Sequence, residues 1–185
     1  MMCQHVGARI LATVGTTEKK TFLMSEFGIQ EDQIFYSRDT SFKAGIMRAT
    51  NNTGVDVIFN SLSSELQRVT WECIAPFGRF IELGRRDFIV NSRLEQDKFK
   101  NNVSFTGLDF RHMKMTRPRL SIEAYEGYMP LIEKGELRAP SPVRAFGLGE
   151  VESAFRTMQS GRHIGKLVVV ARDGNVAKVC RFRDM

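Results

Sequence analysis

The sequence predicts an α/β fold with a Rossmann-like, doubly wound parallel sheet. Short apolar runs alternate with segments of helical periodicity along most of the chain. Strands that are separated by helices in this way form βαβ units, whose strands run parallel. The run VDVIFN at 55–60 is typical of a strand that is covered on both faces of a sheet.

Periodicity and capping residues place the elements in order. Thr16 or Thr17 is a suitable N-cap for the first long helix, and Gly28 is a suitable C-terminal stop. Pro76–Gly78 is interpreted as the turn between a helix and the following strand. The predicted strands are 8–14, 33–36, 55–60, 79–83, 103–110 and 166–171, and the predicted helices are 18–27, 41–49, 64–74, 125–134 and 151–159. Trp71 and the phenylalanines at helix or strand spacing are predicted to be core residues.

Composition excludes several classes of protein. No window approaches the roughly 20 apolar residues of a membrane span, so we expect no membrane partner. The net charge of +6 is scattered along the chain, which argues against a nucleic-acid partner and suits anionic small molecules. Cys3, Cys73 and Cys180 are far apart, and neither they nor the histidines have metal-ligand spacing, so we expect no metal site and a cytoplasmic location.

The residues that follow each strand are the candidate ligand contacts, because an open α/β sheet binds ligands at the carboxyl ends of its strands. Thr16, Lys19 and Lys20 follow the first strand and have the hydroxyl and cationic groups that an NADP 2′-phosphate requires. The alternative is that both lysines lie on a solvated helix face. Asn60 and Ser61 follow the third strand, and these too are typical of an ordinary turn.

Two further loops carry candidate residues. Gly84 follows the fourth strand, where a glycine allows a flat ring to approach the backbone, and Arg85 comes next. The segment SGRHIGK at 160–166 precedes the last strand and contains two glycines beside cationic residues. It has the composition of a loop that closes on a phosphate or ribose, and equally that of a tight helix-to-strand turn.

Together the segments ATVGTTEKK, FYSRDTSF, GVDVIFNSLSSE, ECIAPFGRFIELG, NNVSFTGLDF and MQSGRHIGKLVVV resemble one family. This family is the enoylreductase domain of reducing polyketide synthases, most closely the fungal iterative type, and also of animal fatty acid synthase. These domains belong to the zinc-independent medium-chain dehydrogenase/reductase superfamily. The resemblance implies an NADPH-dependent oxidoreductase that reduces α,β-unsaturated acyl thioesters on an acyl carrier protein, together with the other domains of a megasynthase.

The resemblance also implies roles for individual residues. Thr16, Lys19 and Lys20 match the positions at the 2′-phosphate, and Ser37 and Arg38 match positions near the adenosine. Asn60, Ser61 and Leu62 match the loop along the ribose and nicotinamide, with Leu83 and Gly84 beside the nicotinamide. Gly165 and Lys166 match the closing loop. Arg85 stands where the family often has a lysine that is proposed as the proton donor, and Asp109 matches a second proposed donor approximately.

Compared with the family pattern, the chain lacks the first strand, its glycine-rich loop and the N-terminal GroES-like barrel domain. We therefore expect 1–172 to be a partial NADP-binding domain, 173–185 to be a linker-like tail, and the chain alone to bind NADPH weakly or not at all. Such a chain resembles a piece of a longer reading frame. The alternatives are a non-catalytic remnant or interaction module and a quinone oxidoreductase-like enzyme.

Overall fold

The computed structural model describes residues 1–171, so the predicted tail at 173–185 lies outside the described residues. The chain divides into two compact units, Met1–Leu137 and a second unit that begins at Arg138.

The first unit is an α/β arrangement in which every strand pair is parallel. Strands β1 and β2 form one sheet, and β3, β4 and β5 form another in that order. The strands are β1 (Ala12–Val14), β2 (Ile34–Tyr36), β3 (Val55–Asn60), β4 (Ile74–Glu82) and β5 (Ser104–Gly107). The helices are α1 (Met2–His5), α2 (Thr17–Phe27), α3 (Phe42–Ala49), α4 (Glu65–Trp71), α5 (Arg86–Ile89), α6 (Phe110–Thr116) and α7 (Pro118–Glu133), with 3-10 turns at Glu31–Gln33 and Asp97–Asn101.

Local chemistry explains why the helix α2 begins and ends where the sequence predicts. The Thr16 side chain accepts a hydrogen bond from the Lys19 backbone N–H at 3.3 Å, which satisfies one of the unpaired donors of the first turn. Gly28 ends the helix in the left-handed conformation at φ 64°. Both predicted caps are confirmed.

The core of the first unit is an aromatic cluster between β4, α4 and β5. Trp71 and Phe80 are fully buried, and their ring centroids lie 5.4 Å apart at nearly a right angle. Phe105 stacks on Phe80 at 5.1 Å. The indole N–H of Trp71 donates to the Glu95 carbonyl at 2.8 Å, so the buried polar atom has a partner. Phe77, by contrast, is 76% exposed, so not every phenylalanine belongs to the core as predicted.

The turn predicted at Pro76–Gly78 is wrong, because β4 continues through it. Val55 pairs with Ile74 and Val57 with Arg79, so β4 takes up the extra residues in an irregularity of its register. Phe77 has a positive φ of 62° in this bulge. The preceding helix ends at Trp71 and not at 74, because Ile74 is already buried in the sheet.

The sequence is also misleading between 103 and 147. Strand β5 ends at Gly107, because Asp109 caps α6, and α7 begins at Pro118, well before the predicted start at 125. A proline suits the first turn of a helix, where its missing N–H is not needed. The strand β6 (Val143–Gly147) is not predicted at all, because it buries only Phe146 and has no apolar run.

The second unit is a βαβ motif. The helix α8 (Val151–Gln159) follows β6 and a 3-10 turn at Leu148–Glu150, and it leads to β7 (Lys166–Val170), which pairs parallel with β6. The bounds of α8 agree with the prediction. Only glycine fits at 165, since its φ is +77° and a Cβ there would lie 2.0 Å from the Pro142 carbonyl oxygen.

In the first unit, a cleft of about 840 Å³ is lined by β1, α3 and β3. Within residues 1–171, β1 is paired only with β2, and β3 only with β4. Each strand therefore presents one unpaired edge. This arrangement agrees with the prediction of a parallel sheet that lacks one strand.

The aromatic cluster predicts a contrast between two phenylalanines of β4. We expect Phe80→Ala to lower the free energy of unfolding by about 3–5 kcal/mol, because it leaves a cavity beside Trp71. Phe77→Ala should change it by less than about 0.5 kcal/mol, because this side chain is in solvent. Chemical denaturation of both variants measures the difference, and similar losses would contradict the assignment of the core.

Candidate functional site

The first candidate cluster lies at the carboxyl ends of β1 and β2. Thr16 caps α2 directly after β1, and Ser37 follows β2, with its backbone N–H donating to the Val14 carbonyl at 2.9 Å. The Arg38 Nε donates to the Gly15 carbonyl at 2.8 Å. Its guanidinium lies 3.3 Å from the place where a Cβ on Gly15 would be. The structure therefore brings a hydroxyl and an exposed guanidinium together at this edge of the sheet.

Of the two lysines predicted here, Lys20 has a well-defined partner. Its ammonium lies 2.9 Å from the Glu31 carboxylate and 5.7 Å from the centre of the Tyr36 ring. Its side chain is only 16% exposed. Lys19 lies in the first turn of α2, next to the Thr16 cap. Part of the positive charge expected from the lysine pair is therefore neutralised within the protein, and Arg38 contributes an additional exposed cation.

A cavity of about 460 Å³ adjoins this cluster and is lined by Arg38–Thr40 and Ser63–Leu66. Ser64 has a positive φ of 60° and donates its backbone N–H to both oxygens of the buried Asp87, at 3.1 and 3.0 Å. Asp87 also accepts from the Ser92 hydroxyl at 2.8 Å. This carboxylate, which sequence reasoning missed, holds the loop that forms one wall of the cavity.

The second candidate cluster lies at the carboxyl ends of β3 and β4. Asn60 is 3% exposed, and its side chain faces inward. Its Nδ2 donates to the Leu62 carbonyl at 2.8 Å, and its Oδ1 accepts from the Leu62 N–H at 3.2 Å. The Leu83 N–H donates to the Asn60 carbonyl at 2.8 Å. Asn60 thus fixes the shape of the loop that continues through Ser61, and the structure joins this loop to the one at Leu83 and Gly84.

Glu82 is the residue at this edge that sequence reasoning missed. It is 1% exposed and accepts hydrogen bonds from Asn60 Nδ2 at 2.5 Å, Gln67 Nε2 at 2.8 Å and the Gly84 N–H at 2.5 Å. A signal was present in the sequence, since Glu82 lies two residues after Phe80 and therefore on the same buried face of β4. A charged residue on such a face requires partners.

Gly84 stays a candidate for nicotinamide contact, and its backbone conformation does not itself require a glycine. It has no positive φ. A Cβ at this position would lie 2.7 Å from Glu82 Oε1 and 3.6 Å from the Ser61 carbonyl oxygen. A side chain at this position would therefore have to displace the Glu82 carboxylate, so the glycine leaves room for that carboxylate.

The two predicted catalytic residues form an ion pair. Arg85 Nε lies 3.2 Å from Asp109 Oδ2. The Asp109 side chain also caps α6 by accepting from the His112 backbone N–H at 3.0 Å. This hydrogen bond, and then the charge of Arg85, hold the pKa of Asp109 below its ordinary value of 3.8. Asp109 is therefore a carboxylate at neutral pH and Arg85 keeps its proton, so neither is suited to act as a general acid.

Gly165 and Lys166 belong to the second unit, where their contacts are with the segment that precedes β6. The Lys166 N–H donates to the Pro142 carbonyl at 2.9 Å, and Lys166 pairs with Val143 at the start of the β-ladder. Of the two interpretations left open by the sequence, these contacts are those of a tight turn into β7. Both residues stay candidates for cofactor contact.

With this geometry established, comparisons identify the family. A family model described as zinc-binding dehydrogenase matches residues 29–169. The chain belongs to this dehydrogenase family. Among residues 1–171, no group of three or more His, Cys, Asp and Glu side chains is arranged to hold a metal ion. The described residues thus do not fit a zinc site, and we derive no step through a metal.

The chain is also similar to a curated polyketide synthase and to solved enoyl reductase domains. The chain is 49% identical over 178 residues to a highly reducing polyketide synthase, tstA, of Talaromyces stipitatus, and this match covers 96% of the chain but 7% of the relative. The solved CurK enoyl reductase is 33% identical with a TM-score of 0.78, over 92% of this chain and 49% of that one. The nucleotide-binding subdomain of the PpsC enoylreductase domain from Mycobacterium tuberculosis is 29% identical with a TM-score of 0.66, over 74% and 75% of the two chains.

These findings confirm the predicted fold class and the resemblance to enoyl reductase domains. The chain spans 7% of the length of the curated relative and about half of the solved enoyl reductase CurK. None of the helices within residues 1–171 has the length and apolar character needed to cross a bilayer.

The ion pair of Arg85 and Asp109 predicts the titration of Asp109. Because its carboxylate is the stabilised form, it supports the cap of α6 above pH 3.8 and loses that contribution as the pH falls through its lowered pKa. We expect the side-chain carboxyl signal of Asp109 in NMR to titrate below 3.8. Arg85→Gln should raise the midpoint only in part, since the His112 N–H remains, and Arg86→Gln is the matched control. A midpoint at or above 3.8 in the unaltered chain would contradict this account.

Proposed function

We propose that this chain is the cofactor-binding part of an NADPH-dependent enoyl reductase that reduces α,β-unsaturated acyl thioesters in polyketide or fatty acid biosynthesis. Residues 1–172 then form the partial NADP-binding domain. The observation that carries the proposal is the position of Arg38, whose guanidinium is held on Gly15 beside Thr16 at the carboxyl end of β1.

The choice of NADPH over NADH rests on the charge at this edge. An NAD site uses an acid to bind the ribose 2′-hydroxyl, whereas an arginine accommodates the 2′-phosphate of NADP. Arg38 is exposed and has a planar array of N–H donors that suits a phosphate. Thr16 follows the Gly15 that Arg38 contacts, and its hydroxyl accepts from the Lys19 backbone N–H in the first turn of α2. The N-terminus of α2 favours an anion as well. The positive charge of Lys20 is largely balanced by Glu31, so Lys20 adds little to the attraction of a phosphate.

The nicotinamide end of the cofactor would lie along the loops Asn60–Leu62 and Leu83–Gly84. These loops are adjacent because β3 and β4 are paired in parallel, with Asn60 opposite Glu82. Their backbone is held from inside the protein, so their outer surface is available to a ligand. Gly165 and Lys166 are proposed as contacts of the closing loop on the strength of the resemblance alone.

In the proposed reaction, NADPH supplies a hydride to the β-carbon of the enoyl thioester. Arg85, which follows β4 and is paired with Asp109, has a partly exposed guanidinium whose N–H groups could donate to the thioester oxygen as negative charge develops on it. The proton that reaches the α-carbon is assigned to neither Arg85 nor Asp109. Asp109 is a carboxylate with no proton to give, and an arginine does not release its proton. The enoyl group would be presented by an acyl carrier protein, together with other domains of a megasynthase.

This proposal predicts that the chain distinguishes two adenine nucleotides. In NMR titrations, 2′,5′-ADP should shift the backbone amides of Thr16, Lys19, Ser37 and Arg38 more strongly than 5′-AMP does. Arg38→Leu should weaken 2′,5′-ADP binding by about tenfold or more, the scale of one lost charge-assisted hydrogen bond, and should leave 5′-AMP binding unchanged.

Two variants serve as controls for this titration. Arg38→Lys retains the charge and should retain part of the preference. Arg48→Leu makes the same change on an exposed arginine of α3 and should have no effect. Equal binding of the two nucleotides by the unaltered chain would contradict NADP specificity.

We also expect the affinity for whole NADPH to be low. In the described part of the chain, neither β1 nor β3, the strands beside the cleft, is followed by a glycine-rich loop that would supply amides to the pyrophosphate. Nicotinamide fluorescence should therefore show no saturation below the millimolar range. Micromolar binding would overturn this expectation. NADPH oxidation with free quinones, in preference to enoyl thioesters, would favour the quinone oxidoreductase alternative.

A further inference from the structure

Glu82 is a buried carboxylate whose hydrogen-bond partners, within the described residues, are neutral. Its side chain is 1% exposed and accepts from the Asn60 amide, the Gln67 amide and the Gly84 backbone. Removing an anion from water without a counter-charge is costly. An apolar residue beside Phe80 would fill the core without this cost. The position of the three donors therefore indicates what the carboxylate does.

The donors belong to three different segments of the first unit. Asn60 ends β3, Gln67 lies on α4, and Gly84 follows β4. One oxygen, Oε2, accepts from both amides, while Oε1 accepts from the Gly84 backbone. A single side chain thus fixes the two strand ends and the helix between them.

The constraint extends to the loops themselves. Because Asn60 Nδ2 is held by Glu82, its amide is oriented to pair with both the carbonyl and the N–H of Leu62. On the other side, Oε1 occupies the space beside Gly84 so closely that a Cβ would lie 2.7 Å from it. The same carboxylate therefore fixes the backbone conformation at Leu62 and at Gly84 from the buried side of the loops.

We propose that Glu82 is a positioning residue, which fixes the loops Asn60–Leu62 and Leu83–Gly84 in the conformation that receives the nicotinamide end of the cofactor. The proposal rests on the proposed function for the identity of the ligand. Glu82 itself is covered by protein, so it does not reach a bound cofactor. Its effect is exerted through Asn60 and Gly84.

The test compares Glu82→Gln with a variant of similar burial that lies outside this network. Glu82→Gln keeps the shape but replaces one acceptor oxygen by a donor, so it breaks at least one of the three bonds. Val103→Ala removes part of a buried core side chain that takes no part in the Glu82 hydrogen bonds. Both variants are expected to lose stability, which thermal unfolding measures.

The readouts are amide chemical shifts and the affinities for two ligands, NADPH and 2′,5′-ADP. Both affinities are measured by NMR titration that extends through the millimolar range, because NADPH is expected to bind weakly. Glu82→Gln should change the chemical shifts of the Leu62 and Gly84 amides. It should also weaken NADPH binding by about tenfold, because small displacements of positioning groups reduce binding. It should leave 2′,5′-ADP unchanged, because that ligand is proposed to bind at the ends of β1 and β2. Val103→Ala should leave the two amides and both affinities unchanged.

Three results would overturn the proposal. The first is that the chemical shifts of the Leu62 and Gly84 amides stay unchanged in Glu82→Gln. The second is that both variants weaken NADPH binding equally, and the third is that Glu82→Gln weakens the binding of NADPH and 2′,5′-ADP equally. If Glu82→Gln does not fold, Gln67→Met replaces it, because it removes one of the three donors to the same carboxylate from a residue of α4 that lies outside both loops, and the same outcomes apply. If the unaltered chain shows no response to 2′,5′-ADP at Thr16 and Arg38, the proposed function fails. The amide shifts of Leu62 and Gly84 then decide on Glu82 alone.

Discussion

The hydrogen bonds of the Glu82 carboxylate are the constraint on which the rest of the candidate site depends. They connect the end of β3, the end of β4 and α4, and Glu82 shares the buried face of β4 with Phe80 of the aromatic cluster. The cluster packs β4 against α4. The hydrogen bonds of the carboxylate then fix the backbone conformation of the loops at the edge of the sheet. A buried polar network of this kind is stabilising only when all its members are satisfied, which makes the loop conformation sensitive to each of them.

The two ends of the proposed site are built differently. At β1 and β2, the groups are at the surface: Arg38 is exposed, and the charge of Lys20 is shared with Glu31. The recognition that we propose there would rest on charge, which salt screens. At β3 and β4, the side chains of Asn60 and Glu82 are turned inward, so the proposed recognition would rest on backbone shape. The ion pair of Arg85 and Asp109 stands beside this second end. In the proposed enoyl reduction, we assign the proton to neither of these two groups.

Much of the fold followed from the sequence, because β3, α8 and the caps of α2 are specified by local signals such as apolar runs, helical periodicity, Thr16 and Gly28. Errors arose where tertiary pairing outweighs local chemistry. The proline and glycine of Pro76–Gly78 indicate a turn, yet pairing with β3 carries β4 through them as a bulge. Strand β6 buries almost nothing and so leaves no pattern. The residues that follow each strand could be predicted as site candidates, but the partners that fix them could not: Glu82 and Asp87 act through contacts with residues 15 to 23 positions away in the sequence.

Native-state hydrogen exchange at the Gly84 amide tests the central constraint most directly. Gly84 lies in a loop after β4, where an ordinary amide would exchange through local fluctuations of low free energy. Because its N–H is bound to a buried carboxylate at 2.5 Å, we expect it to be protected to the same degree as the Phe80 amide inside β4. Exchange of Gly84 as rapid as that of an exposed loop amide such as Arg93 would show that Glu82 does not hold this edge of the sheet.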